Sequence, residues 1–199
     1  MGRFGHSRGG YACRPSGISW DLRCAREFAE LLAGEFAAEQ PNLRLVEPLS
    51  IAIMVMYSRP FASGRVHRRL GEIELAVLTP EHRAAHKYFL DYRCKHVAHS
   101  LNAFEENLPR ANYCLERVNE EGITAITCSG GRVTGLSGDD LKNVIELTTA
   151  LEAHVDSLIT KEQERLLVIV RKMPLEEVLA GGQKEFVVDR AAVRKPRKK

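Results

Sequence analysis

The stretch Ser137–Pro174, SGDDLKNVIELTTALEAHVDSLITKEQERLLVIVRKMP, decides the fold class. Leu141, Val144, Thr148, Leu151, Val155, Leu158, Glu162, Leu166, Ile169 and Met173 recur at alternating spacings of three and four. That is the period of one face of an α-helix, not of a strand. Ser137 with Asp140 three residues on resembles a capping box, with Asp in place of the usual Glu or Gln. Pro174 supplies the stop, because proline lacks the N–H and clashes with the preceding turn. The expectation is one helix of about 35 residues whose seam packs within a bundle or against a second copy.

Working outward, CSGGRVTGLSGDD (Cys128–Asp140) is a glycine-rich link. Before it, NYCLERV and GITAITC are rich in β-forming residues and flank NEEG (Asn119–Gly122), which reads as a small hairpin. Upstream, Thr79-Pro80-Glu81 is a helix start: a capping hydroxyl, proline in the first turn, then an acid near the positive end of the helix. That helix is expected to end between His99 and Asn107. Residues 65–78 are helical by composition. A further helix is expected from Leu49 to Ser58, ended or kinked by Pro60. The first helix, capped by Ser19 or Asp21, carries Leu22, Ala25, Ala29, Leu32 and Phe36 at helical spacing, and Pro41 and Pro48 break the chain after it. The fold class is therefore mostly α, a helical bundle with a small β-hairpin before a long final helix. Residues 1–17 form a flexible lead, 18–173 the helical domain, and 174–199 an extension ending in the basic tail VRKPRKK.

The chain has 199 residues, 44% of them hydrophobic, enough for one sizeable core. A net charge of +3 does not by itself argue for nucleic acid. The cationic tail reads as solvated or as a phosphate contact. The five cysteines include no C-x-x-C pair, so a structural zinc site of that type is not expected. MGRFGHS has the outline of a myristoylation signal, a short pattern of little weight. No secretory leader is visible, and the longest apolar run, LSIAIMVMY (Leu49–Tyr57), falls short of the ~20 residues that span a bilayer. These features point to a cytoplasmic protein with reduced thiols and no membrane partner.

Chemistry concentrates in DYRCKHVAHSLNAFEEN, Asp91–Asn107. His82 and His86 are spaced i, i+4, and His96 and His99 i, i+3, so either pair can present two imidazoles on one helical face. His86 and His96 lie a rise of roughly 15 Å apart, too far to share one ion. No metal and no cofactor are implied. Arg93 and His99 are about 120° apart around a helix axis and can flank one groove. A guanidinium that holds phosphate oxygens and an imidazole near neutral pKa suit metal-independent RNA cleavage, where the 2′-hydroxyl is a built-in nucleophile. By spacing alone, a crowded face of a structural helix accounts for the same residues.

YRCKHVAHSLNAFEEN also resembles the R-x4-6-H motif of the HEPN superfamily, in the form R-[ND]-K-x-x-A-H-S. YSRPFASGR (Tyr57–Arg65) and EHRAAHKYFLDYR resemble the segments that lead into it in abortive-infection-type members. The resemblance spans roughly residues 20–172, and its specific part is R-x-K-x-x-A-H-S. It implies a helical bundle that dimerises and, in active members, an endoribonuclease cleft between the subunits, used in phage defence and toxin–antitoxin systems. Carried over by position, Arg93 orients phosphate and His99 is the general acid or base. Lys95, His96 and Arg59 are the candidate substrate contacts. RNA, a second copy and an antitoxin or other protein are the implied partners. Cys94 departs from the pattern, where Asn, Asp or His is usual, and a thiol donates hydrogen bonds poorly. The rival reading is a non-catalytic module binding protein or nucleic acid. For Tyr57, Arg59 and Phe61 the bland reading is two core rings and an arginine paired with an acid such as Glu105.

Overall fold

The structure, a computed structural model, describes residues 14–62, 70–97, 105–113, 123–132 and 135–180. The long helix of the Ser137 stretch, α5, runs Gly138–Val170. Ser137 Oγ accepts from the Asp140 N–H at 3.2 Å, and an Asp140 carboxylate oxygen accepts from the Ser137 N–H at 2.9 Å, so the capping box forms as expected. Leu141, Val144, Leu147, Leu151 and Val155 are buried. Full burial of an aliphatic side chain contributes about 1.5–3 kcal/mol, so this half of the helix is held by packing. Beyond it the seam residue Leu158 is exposed and Leu166, Ile169 and Met173 are half-buried. The seam is thus fully buried over its first half only.

Helix α1 (Arg14–Ala37) is the main partner of α5. Leu22, Ala25, Ala29 and Leu32, spaced by three and four, are all fully buried. Ser19 Oγ donates to Asp156 Oδ1, and Arg23 and Arg26 pair with Glu152, so residue numbers fall along α5 as they rise along α1 and the two helices are antiparallel. The helix begins at Arg14, inside the segment expected to be a lead. Ser19 and Asp21 are accordingly not its caps: both are buried inside it, turned to other helices.

Helix α2 (Val46–Ser58) follows a single 3-10 turn, Leu43–Leu45, which Asn42 Oδ1 caps by accepting from the Arg44 N–H. Pro48 does not break it. Proline is tolerated in the first helical turn, where the backbone N–H has no partner to lose. Pro60 does end it, and Arg59–Phe61 form a 3-10 turn. Of the expected 65–78 helix, the single turn α3 (Glu72–Leu75) is helical among the described residues. Helix α4 (Pro80–Tyr92) starts where Thr79-Pro80-Glu81 predicts. Ile53, Met54 and Tyr57 of α2 and Phe89 and Tyr92 of α4 join the core made by α1 and α5.

The hairpin is present but shifted. Strands β1 (Glu105–Tyr113) and β2 (Ile123–Arg132) are antiparallel, with Pro109 opposite Cys128 and Ala111 opposite Ile126. The first strand begins seven residues before Asn112, and β2 extends through Gly130 and Gly131 of the expected link. A two-stranded ribbon has only edge strands, and there proline is tolerated. A last short helix, α6 (Leu175–Ala180), lies inside the expected C-terminal extension.

Candidate functional site

Thr79 fixes the start of α4: its hydroxyl accepts from the His82 N–H at 3.2 Å. The Glu81 carboxylate is held below its ordinary range by its own backbone N–H and by the Thr79 hydroxyl. One turn on, His82 Nε2 lies 3.0 Å from Glu146 Oε2 of α5. His86 turns the other way. It is buried, and its Nδ1 lies 2.8 Å from the Tyr57 hydroxyl of α2. Phe61 packs edge-on to the imidazole, ring centroids 4.5 Å apart. Burial lowers the His86 pKa, opposed by Glu72, and raises that of the Tyr57 phenol. The two imidazoles therefore serve different helices. Among the described residues no three His, Cys, Asp or Glu side chains are grouped to hold a metal.

This clasp holds α2 against α4 directly below the motif. Asp91 and Tyr92 finish α4, and Arg93–Val97 then form one π-helical turn. Such wide turns are rare and concentrate at functional sites. The Arg93 N–H donates to the Leu90 and Phe89 carbonyls. Arg93, Cys94 and Lys95 are exposed, whereas His96 and Val97 are half-buried. Val97 packs on the core, and the His96 ring stands edge-on to Tyr92 at 4.8 Å. The turn also packs against α2.

Of the expected site residues, Arg93, Lys95 and His96 thus share one turn. His99 lies outside the described residues, as do Ser100 and Asn102. Arg59 is placed as the bland reading expects, with a different acid: its Nε lies 3.2 Å from Asp21 Oδ2 of α1, and the Asp21 side chain is 4% exposed. Tyr57 and Phe61 are core. Sequence reasoning missed the Tyr57–His86 link and the charged cluster on Glu152. It also missed an aromatic row, Tyr88, Tyr92 and His96, whose i, i+4, i+8 spacing was the available signal. Tyr88 and Tyr92 have ring centroids 6.0 Å apart.

Compared with known proteins, the chain matches no family model, no curated protein and no solved structure. Among the described residues, no helix is long and apolar enough to cross a membrane.

Proposed function

We propose that this chain is a HEPN-like, metal-independent endoribonuclease that acts as a cytoplasmic homodimer in a phage-defence or toxin–antitoxin setting. The observation that carries the reading is the π turn, which presents Arg93 and Lys95 to solvent beside His96, in the stretch that resembles the family motif. In the proposed reaction Arg93 binds two phosphate oxygens. The ribose 2′-oxygen loses its proton and attacks the adjacent phosphorus, the bond from phosphorus to the 5′-oxygen breaks, and that oxygen takes a proton. His99 serves as general base or acid in these transfers. The chain leaves a 2′,3′-cyclic phosphate and a 5′-hydroxyl, with no redox change and no cofactor.

The test is cleavage of several RNAs in EDTA by wild type, Arg93→Ala and His99→Ala, with oligomeric state measured on the same samples. Cleavage that survives EDTA and vanishes in both variants, with the dimer intact, supports the reading. A folded, dimeric wild type that cleaves none of them removes it in favour of the non-catalytic module, with Cys94 the first suspect for the lost activity.

A further inference from the structure

Tyr88 is the exposed end of an aromatic row that leads into the Arg93 turn. The residue is 41% exposed, and its ring centroid lies 5.5 Å from that of Phe89 and 6.0 Å from that of Tyr92. Phe89 and Tyr92 are 1% and 6% exposed. The ring is thus braced by core aromatics on one side and open to solvent on the other. Tyr92 contacts His96 in turn. Exposed cations occur along the same stretch at Lys87, Arg93 and Lys95, with Asp91 an exposed acid among them. Partial burial, and Asp140 facing it from α5, keep the Tyr88 phenol protonated beyond its ordinary range, so the ring is a neutral surface.

A braced, open aromatic ring among cations is what single strands of nucleic acid use: bases stack on the ring and phosphates take the charges. In a duplex the base faces are already stacked, so only an unpaired strand has one to offer. Residues 88 and 93 are separated by a rise of about 7.5 Å and by about 140° around the helix axis, so a strand that reaches both must cross obliquely over the helix.

We propose that Tyr88 is a stacking platform that positions an unpaired base of the RNA next to the phosphate held at Arg93. This rests on the ribonuclease reading above. Tyr88 is a positioning residue that sets the preference for unpaired RNA and is tolerant of base identity, because every base has a π face.

The experiment uses the full chain carrying His99→Ala, so that RNA is bound without being cut. A fluorescein-labelled oligouridylate, and the same strand with one abasic site moved along it, are titrated by anisotropy at fixed salt. Tyr88→Leu is expected to weaken binding about ten- to a hundredfold, and Tyr88→Phe to leave it unchanged. At one position the abasic site should cost the parent the same factor and cost Tyr88→Leu nothing. Equal binding by Tyr88→Leu and the parent, with Arg93→Ala impaired, would sink the platform and leave the ribonuclease reading standing. An equal loss in Tyr88→Phe would assign the effect to the hydroxyl and overturn stacking. A parent that binds no RNA ends both.

Discussion

Glu152 is a carboxylate of the α1–α5 interface, its side chain 8% exposed. Arg23 Nε bonds one of its oxygens at 2.7 Å and an Arg26 terminal nitrogen the other at 2.9 Å. Removing one member of a desolvated pair leaves its partners short of a bond, which costs more than the pair itself contributes. Both arginines reach solvent, which softens the loss. Glu152→Ala is expected to lower unfolding stability by about 1–3 kcal/mol, read as a lower urea midpoint. Glu162 and Arg165 make a pair at 2.6 Å on the surface of the same helix. Exposed pairs are screened by water and salt, so Glu162→Gln should leave the midpoint unmoved. A loss for Glu162→Gln as large as that for Glu152→Ala would contradict the assignment.

His86 makes the stability of the fold depend on pH just below neutrality. Its folded pKa lies below the ordinary histidine value because burial disfavours the imidazolium, with Glu72 opposing. The unfolded chain then binds more protons than the folded one between the folded pKa and about 6.5, so stability rises with pH across that window. As pH falls below about 6.5, stability should decline until the folded pKa is passed, and then level off with respect to this group. Urea midpoints at pH 7.5 and pH 5.5 test this. His86→Gln keeps a hydrogen-bonding partner for Tyr57 but cannot titrate, so it should reduce the difference between the two. An unchanged difference would move the titration to another group.

At the scale of elements, the link from β2 into α5 is closed by Gly135. A Cβ there would overlap Val46 Cγ1 and stand 3.4 Å from Ser50 Oγ. Ser50 Oγ also accepts from the Leu136 N–H at 3.0 Å, which ties the start of α5 to the early turns of α2. Overpacking such a contact costs about 1–3 kcal/mol, and Gly135→Ala should show it by thermal unfolding. Adding Val46→Ala should recover part of the loss, since it removes the clashing methyl. No loss in Gly135→Ala would mean that the link does not lie against α2. The elements legible in advance were those with local signals. Thr79-Pro80 and the Ser137–Asp140 box each act within one turn, and both caps form where expected. Pro48 misled because proline stops a helix interior but suits a first turn, and composition alone does not say which it occupies. The first strand begins earlier than the β-rich stretch Asn112–Val118 indicates, and Pro109 within it is tolerated because the strand is an edge.

At the scale of the molecule, burial is concentrated in the helices. The described ribbon side chains are exposed, except Ser129, which is half-buried, and Ile126 is 65% exposed. A two-stranded ribbon without a packed face is marginal in water. Amides of 108–112 and 125–130 should therefore exchange far faster than those of Leu22–Leu32 and Leu141–Val155, because local opening there breaks little buried contact. Ribbon protection equal to that of α1 and α5 would show that something packs on it in solution.

The sequence by itself determined the mostly helical class, the long α5 and its capped start, the start of α4, the stop at Pro60 and the existence of a hairpin; α5 ends at Val170, short of the expected stop at Pro174. Each follows from backbone satisfaction or side-chain period over a few consecutive residues. Tertiary structure alone decided the rest. Arg23 meets Glu152 across 129 residues, and Tyr57 meets His86 across 29. Asp21, a candidate cap by sequence, became the partner of Arg59. The π turn at Arg93–Val97 was not legible in the sequence, because one widened turn displaces the helical phase by only about one residue, which a short stretch cannot reveal. Which partner a charged or hydrogen-bonding side chain takes depends on where distant helices bring their faces together, and local pattern does not carry that information.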